Sequence, residues 1–413
     1  MQVVNERCCG LDVHKETVVA CALVPGEGAQ PKREVRTFGS MTDELEQLGD
    51  WLERLGVTHV VMESTGVYWK PVYNLLDGRF AILVVNAQHL KALAGRKTDV
   101  QDAEWLADLL RHGLLKGSFI PSAELRALRD LTRYRTKLSD ERKSEVNRIH
   151  KVLEDANIKL GSVASDIMGV SGRAILGELV EGHANPTVLA ELAKGRLRDK
   201  HELLERALRG RVRSHHRTML VHHLSHIDYL EEAIQQLDAE IEEQMRPFAA
   251  SLEKWDSLPG INRRLAEILV AEMGADLKPF PDAEHLASWA RMCPGNNESG
   301  GKRRSGKTRR GSPWLRRALV EAAHGAARTK QKYFQALYHR LAARRGKQRA
   351  LFAVGHSLLV TGYHLISCDR TYEDLGADYF DKRNHEVVKQ RAVRQLQKLG
   401  YDVKLITPQA AIA

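Results

Sequence analysis

Two aspartates spaced three residues apart are the first candidates for chemistry in this sequence. Asp99 and Asp102 lie in the stretch GRKTDVQDAEWLADLL, where the pattern indicates the start of a helix. Residues at i and i+3 share a helix face, so both carboxylates could reach one cation. Asp is also favourable in a first helical turn, where it meets the positive end of the helix dipole. The pair alone fits either a metal site or ordinary helix capping. The metal site is favoured only if other carboxylates lie close to the pair.

The elements predicted before this pair supply two more carboxylates. Apolar runs within 7–24 predict a strand hairpin, EVRTFGS predicts a third strand, and helices then alternate with buried strands. This order predicts an α/β domain with a mixed sheet. Asp12 lies on the first strand and Glu63 ends the fourth. In a ribonuclease-H-like fold those two strands are adjacent, and a later helix can bring Asp99 and Asp102 against them.

Four carboxylates in one place repel one another when ionised, so they need cations. Oxygen ligands favour Mg²⁺ or Mn²⁺. Two such ions can stabilise both the attacking and the leaving oxygen of a phosphate. Taken singly, Asp12 also fits a strand-end turn and Glu63 a neighbour of a helix N-cap. The coincidence of all four favours the metal site.

The rest of the chain divides by composition. Apolar residues recur with helical spacing among many Arg and Lys over about 123–160, and a second helical stretch covers 215–247. The pattern predicts two long amphipathic helices, compatible with a coiled coil, that pair within or between subunits. Shorter helices are predicted over 160–200 and helical character again after 330. We therefore predict four regions: 1–118, an α/β catalytic domain; 119–252, a helical assembly region; 253–330, a mainly α domain with a serine-containing loop; and 331–413, a helical extension.

The charge balance favours a polyanionic partner. Lys plus Arg number 63 against 53 for Asp plus Glu, a formal net charge of +10. The stretch CPGNNESGGKRRSGKTRRGSPWLRRAL concentrates this charge, and we predict no regular element between Pro294 and Leu315. The basic residues expected to bind nucleic acid are Lys302, Arg303, Arg304, Lys307, Arg309 and Arg310. Just before it, LPGIN fits the second half of a phosphate-binding helix-hairpin-helix or an ordinary helix corner equally well.

Cysteine usage and hydropathy indicate a cytoplasmic protein. The five cysteines are scattered and include no CxxC pair, so neither a disulfide framework nor a zinc site is predicted. The N-terminus lacks the apolar run of a signal peptide. The apolar stretch ALFAVGHSLLVTGYHLI is short and interrupted, which predicts a buried helix and no membrane span.

Three motifs resemble a known family. GLDVHK, MESTG and KTDVQDA are similar to the signature of RuvC-like DEDD transposases of bacterial insertion sequences, a family that includes Piv-type DNA invertases and bridge-RNA-guided recombinases. The block CPGNNESGGKRRSGKTRRGSPWLRRAL resembles the C-terminal transposase domain of that family. The resemblance covers roughly residues 7–115 and 255–325.

The resemblance implies a role for each motif residue. Asp12, Glu63, Asp99 and Asp102 match the acidic tetrad that uses Mg²⁺, and Ser299 matches the serine that attacks a DNA phosphate and forms a covalent phosphoserine link. It also implies double-stranded donor and target DNA, a structured guide RNA in some members, and dimers that pair into tetramers.

Local sequence leaves several alternatives open. Ser305 and Ser312 lie in the same loop as Ser299, and no general base is visible near any of them. A metal-dependent nuclease that uses water, with no covalent intermediate, is a second hypothesis. A basic nucleic-acid-binding protein whose carboxylates are structural is a third.

Overall fold

The computed structural model describes residues 2–26, 30–64, 66–86, 99–294, 297–299, 301–305, 308, 311–383 and 385–405. The chain forms two compact units, Met1–Ala123 and Glu124–Ala413. They are described in turn.

A five-stranded mixed sheet forms the centre of the N-terminal unit. Its strand order is β3-β2-β1-β4-β5, with β1, β2 and β3 antiparallel and β1, β4 and β5 parallel. This architecture confirms the mixed α/β domain and is compatible with a ribonuclease-H-like fold. The strands are β1 (Cys8–Val13), β2 (Thr17–Val24), β3 (Lys32–Gly39), β4 (His59–Glu63) and β5 (Ala81–Val85). The helices are α1 (Thr42–Arg54), α2 (Trp69–Leu76) and α3 (Asp99–Arg111). The helix predicted just before α3 lies outside the described residues.

Helices cover both faces of this sheet. Alternate residues of β1 point to opposite faces, so Leu11 packs with Leu48 of α1 and Val72 of α2. Cys8 belongs to the other face, where it packs with Ala107 and Leu110 of α3. Burial on both faces explains the nearly continuous apolar runs of β1 and β2.

Gly10 sets the distance between α3 and the sheet. A Cβ atom at Gly10 would lie 2.2 Å from the carbonyl oxygen of Ala103 and 2.5 Å from the amide nitrogen of Ala107. Only a glycine admits backbone that close. The close approach fixes where α3 crosses β1.

The C-terminal unit is almost entirely helical. A 33-residue helix and a 32-residue helix dominate its first half, as the sequence predicts. The helices up to residue 256 are α4 (Ala123–Asp155), α5 (Leu160–Val163), α6 (Val170–Glu181), α7 (Pro186–Glu191), α8 (His201–Ala207), α9 (Ser214–Met245) and α10 (Ala249–Asp256). The later ones are α11 (Arg263–Met273), α12 (Ala283–Trp289), α13 (Pro313–Arg328), α14 (Tyr333–Arg345), α15 (Lys347–Ser367), α16 (Tyr379–Arg383) and α17 (His385–Lys398). Short 3₁₀ segments at Gly195–Lys200 and Arg246–Phe248 complete the helical elements.

The two long helices pair antiparallel within one chain. Residues of increasing number on α4 contact residues of decreasing number on α9. Arg135 bonds to Asp238, Arg142 to Glu231, and Asp155 to His216. Leu138 packs against Leu230 and Ile234 between these ion pairs. The two helices therefore contact each other within a single chain, through side chains.

The prediction of no regular element between Pro294 and Leu315 is wrong. Strands β6 (Asn297–Ser299) and β7 (Lys302–Ser305) form a two-stranded antiparallel hairpin, and α13 begins at Pro313. The sequence signal was weak because the strands are three and four residues long and contain no apolar alternation. The hairpin depends on its glycine turn, in which Gly301 has φ of +72°.

The apolar stretch near the C-terminus forms α15. By length and composition α15 is one helix, among the described residues, that could cross a membrane. Nine of its residues are buried, and it packs against α10, α12, α13 and α14. This burial fits the predicted core helix.

Gly10→Ala is expected to lower the free energy of unfolding by ~1–3 kcal/mol, because α3 must move away from β1 to admit the new methyl group. Thermal or urea unfolding of the full chain measures the loss. Gly177→Ala is the matched control: Gly177 lies in α6, where an added Cβ atom would have nothing within 4 Å, so we expect no loss and a gain of up to ~1 kcal/mol. Equal stability of the two variants would contradict the close approach.

Candidate functional site

Asp12 and Glu63 lie side by side at the carboxyl ends of neighbouring strands. The parallel register of β1 and β4 pairs Leu11 with Met62, so the next residue on each strand is Asp12 and Glu63. Residues adjacent across a ladder point to the same face of the sheet. That face is the one on which Cys8 and Val61 contact α3. The predicted adjacency of the first and fourth strands is confirmed.

The direction of α3 brings its first turn toward the same edge. The backbone amides of Val4 and Asn5 donate to the carbonyl oxygen of Arg111, at the end of α3. Ala107 contacts Cys8, and Ala103 lies over Gly10. As α3 is followed back toward its N-terminus, it therefore advances along β1 toward Asp12.

Asp102 lies at the first turn of α3 and is half-buried. It immediately precedes Ala103, which contacts Gly10, two residues before Asp12 on β1. Asp99 begins the helix, one turn away on the same helix face; its side chain lies outside the described residues. The backbone thus brings Asp12, Glu63 and Asp102 toward one edge of the sheet. Asp99 begins the helix that carries Asp102.

Asp12 has an imidazole neighbour. The Nε2 atom of His14 lies 3.1 Å from Oδ2 of Asp12, whose side chain is 19% exposed. Sequence reasoning did not single out His14, although it stands two residues after Asp12 in the motif GLDVHK. This spacing was the available signal.

The cysteines beneath this edge are structural. Burial raises the pKa of Cys8 to about 12 and that of Cys21 to about 11, and it also raises the pKa of Cys9 well above its ordinary value. A thiol with so high a pKa holds almost no thiolate near neutral pH and is a poor nucleophile. These thiols are therefore not candidates for nucleophilic chemistry at this edge.

Asp155, His215 and His216 form a tight polar group in the C-terminal unit. Their ligand atoms all lie within 4.8 Å of one another. The Nδ1 atom of His216 accepts a hydrogen bond from the amide of Arg213 at 3.1 Å, so the neutral ring carries its proton on Nε2, 2.7 Å from Oδ2 of Asp155. A metal at Nε2 would displace that proton, so the group fits a cap of α9 better than a metal site.

Oxygen donors distinguish the acidic edge from this histidine group. Asp12, Glu63 and Asp102 offer carboxylate oxygens alone, which is the donor set that Mg²⁺ and Mn²⁺ prefer. Among the described residues, the oxygens of these three carboxylates do not form a group within 4.8 Å of one another, as the ligand atoms of the histidine group do. Ionised carboxylates repel at that distance unless a cation lies between them. The donor type of these residues suits a hard divalent ion.

The three candidate serines occupy three different places. Ser299 ends β6, next to the turn, and pairs with Lys302, which begins β7. Ser305 pairs with Asn297 at the opposite end of the hairpin. Ser312 caps α13, where its Oγ accepts from the amide of Leu315 at 3.3 Å and donates to Oε2 of Glu272 at 3.1 Å.

A buried carboxylate connects Ser312 to the rest of its unit. Glu272 is 1% exposed, and Arg133 donates to both of its oxygens, at 2.6 and 2.9 Å. Arg129 donates to the Glu272 carbonyl oxygen at 2.6 Å, and burial lowers the pKa of Arg129. Sequence reasoning missed these residues, because nothing in their local pattern shows that charged groups 139 positions apart meet.

The turn LPGIN before α11 packs against α13. Gly260, with φ of +83°, approaches α13 so closely that a Cβ atom would lie 2.2 Å from the carbonyl oxygen of Ala322. Leu258 and Ile261 on either side are buried. Of the two interpretations of LPGIN, this packing favours an ordinary helix corner over a turn that holds a DNA phosphate.

Comparison with known proteins identifies both units. Residues 9–158 match the family model of a DEDD-type transposase domain, described as Transposase, and residues 253–339 match the model described as Transposase IS116/IS110/IS902 family. The chain belongs to the IS110-type transposases of insertion sequences. A protein of Pseudomonas aeruginosa named a probable family 20 transposase is 25% identical to it over 286 residues, which are 68% of this chain and 75% of that protein.

Membership of this family establishes the general activity. The transposase is an enzyme that acts on DNA, and the DEDD class of its first domain accords with the use of a divalent metal. The first matched segment contains Asp12, Glu63, Asp99 and Asp102, and the second contains Ser299 together with the six basic residues predicted to bind nucleic acid.

Ser312→Ala is expected to destabilise the transposase without removing its chemistry. Loss of a Ser N-cap costs about 1 kcal/mol, and the Glu272 oxygen also loses a hydrogen-bond donor. We expect a lower melting temperature in a thermal scan and DNA strand cleavage within about twofold of wild type at a temperature where both are folded, because a cap lies outside the reacting atoms. Complete loss of cleavage by the folded variant would assign Ser312 to the chemistry instead.

Proposed function

We propose that this transposase cleaves and rejoins double-stranded donor and target DNA through Ser299, with Mg²⁺ or Mn²⁺ held by Asp12, Glu63, Asp99 and Asp102. The observation that supports this most directly is the register of β1 and β4. It brings Asp12 and Glu63 together on the sheet face that α3 covers. Helix capping does not account for Asp12 and Glu63, because both lie on strands.

The four carboxylates would act as oxygen ligands. When bound, the divalent ions would neutralise charge on the reacting phosphate. The chain itself holds the carboxylates in place, since β1 and β4 are buried strands and α3 is held against Gly10. His14, beside Asp12, would orient that carboxylate.

Ser299 would exchange one phosphate bond for another. Its hydroxyl oxygen attacks the phosphorus of a DNA strand as the hydroxyl proton is lost, and one backbone P–O bond breaks to leave a free hydroxyl on the other DNA end. A hydroxyl of the new partner strand then attacks the phosphoserine and releases Ser299. Each step replaces one phosphate ester with another, so no nucleotide cofactor is required.

The hairpin position of Ser299 supports this role. Ser299 is followed in sequence by two glycines and pairs with Lys302, and Arg303 and Arg304 follow on β7. Lys and Arg neutralise DNA phosphates and give binding that weakens with salt. Lys307, Arg309 and Arg310 continue the basic run in the sequence and lie outside the described residues. The side chains of β6 and β7 are likewise not described.

We further propose that the enzyme binds a structured guide RNA and assembles as a dimer that pairs into a tetramer. The net charge of +10 supports a second polyanion besides the DNA. Besides their contact within one chain, α4 and α9 keep exposed aromatic side chains, Tyr134 and Tyr229, that are available for assembly. Light scattering with and without nucleic acid tests the assembly, and a structured non-coding segment beside the gene would support RNA guidance.

Asp102→Asn is expected to abolish strand cleavage and weaken Mn²⁺ binding, while the fold is kept, because an amide removes one charged ligand and some repulsion. Asp108→Asn is the matched control, since Asp108 is an exposed residue six positions later on α3. Mn²⁺ titration followed by electron paramagnetic resonance, together with cleavage of labelled DNA, measures both effects. Unchanged metal binding and cleavage by Asp102→Asn would reject the acidic site.

Ser299→Ala is expected to bind DNA with nearly the affinity and salt dependence of the wild type, because a hydroxyl adds little to counterion release. It should form no covalent adduct. The reaction is run on labelled DNA, denatured, and examined for label attached to protein, with Ser305→Ala as the matched control that keeps the adduct. Cleavage by the wild type without any adduct would favour the water-using nuclease. Binding without cleavage, insensitive to chelator, would favour a non-enzymatic binding protein.

A further inference from the structure

A cleft of about 440 Å³ opens between four helices of the C-terminal unit. Each helix contributes to its walls, with Arg135 from α4, Asp238 from α9, Leu265 from α11 and Trp314 from α13. Its volume falls within the range of small-molecule sites, about 300–1,000 Å³. None of the residues proposed above for catalysis or DNA binding lines it.

The wall of the cleft contains a buried arginine with an unused donor. Arg135 is 3% exposed, and its Nη1 donates to Oδ1 of Asp238 at 2.9 Å and to Oε2 of Glu267 at 2.7 Å. Its Nη2 is buried and has no hydrogen-bond partner among the described residues. Buried polar groups in native proteins nearly always have a partner, so an orphaned guanidinium nitrogen indicates a missing acceptor.

The lining favours an anion as the missing acceptor, because its basic side chains outnumber its acidic ones, although each basic side chain is also paired with a carboxylate in or behind the wall. Six basic side chains line the cleft against three acidic ones. Two of the acidic ones are already engaged, since Arg142 binds Glu231 at 2.8 Å and Asp238 is held by Arg135 and Arg264. Lys143 and Arg317 lie at the same walls, and both contact Asp140 behind them. A carboxylate ligand and a phosphate both fit this charge.

An aromatic ring in the wall distinguishes between these anions. Trp314 is half-buried and lines the cleft at the first turn of α13. Nucleobases stack on aromatic side chains, and a nucleotide joins such a base to a phosphate. Asn262, which caps α11 through the amide of Leu265, also lines the cleft, so the positive end of a helix dipole faces it.

We propose that this cleft binds one nucleotide, with its phosphate at Arg135 and its base against Trp314. The nucleotide belongs either to a nucleic-acid strand or to the free mononucleotide pool, and the shared chemistry is a phosphate that carries a base. The strand source rests on the proposed DNA and RNA binding of this enzyme. Binding of a free nucleotide does not depend on that proposed function.

The experiment is calorimetric titration of the full chain with dAMP, in the absence of divalent metal, with inorganic phosphate as competitor. Arg135→Lys keeps a charge beside Asp238 and Glu267 but removes Nη2, so dAMP should bind about tenfold more weakly, as for loss of one hydrogen bond to a charged group. Lys143→Gln should weaken it severalfold. Lys137→Gln, an exposed lysine of α4 outside the cleft, is the matched control and should bind as wild type.

Trp314→Leu separates the two halves of the site. It should weaken dAMP binding and leave competition by inorganic phosphate intact. If Arg135→Lys fails to fold, Lys143→Gln and Trp314→Leu still carry the test. Absence of dAMP and phosphate binding to folded wild type at millimolar concentration overturns the proposal, as does wild-type affinity in both Lys143→Gln and Trp314→Leu.

A short single-stranded oligonucleotide identifies the source of the nucleotide. Displacement of dAMP by the oligonucleotide, with weaker oligonucleotide binding in the cleft variants, supports a nucleotide of a strand. Binding of both ligands together supports a free mononucleotide. Ser299→Ala should bind dAMP as wild type, so a failure of the proposed recombination chemistry leaves this result unaffected.

Discussion

The contact between α3 and β1 at Gly10 is the constraint on which the acidic edge depends. Because a Cβ atom there would overlap backbone atoms of Ala103 and Ala107, the helix can lie this close only over a glycine. The same contact fixes how far the first turn of α3, with Asp102, extends toward Asp12. The carboxylates thus stand on rigid elements, and rigid placement is what metal-dependent phosphoryl transfer requires.

In the C-terminal unit, buried ion pairs fix the positions of the helices relative to one another. Glu272 receives both donors of Arg133 and the hydroxyl of Ser312, so α4, α11 and the start of α13 are held together by one carboxylate. Such pairs add little net stability because desolvation offsets their attraction, but removing one partner is costly. Ser312, at the start of α13, is therefore held in one defined place.

The residues proposed for chemistry are divided between the two units of this transposase. The N-terminal unit carries carboxylates on a buried sheet, whereas the C-terminal unit carries a serine on a short hairpin whose second strand begins Lys302, Arg303, Arg304.

The sequence by itself determined the mixed sheet, the two long helices and the positions of Asp12 and Glu63, because apolar periodicity reports burial directly. It did not reveal β6 and β7, whose pairing depends on a glycine turn and not on apolar residues. Nor did it reveal the cap made by Ser312 or the orphaned donor of Arg135, since both arise from side chains that meet only across packed helices. Local pattern decides which residues are buried; tertiary packing decides which buried charges meet, and which remain unpaired.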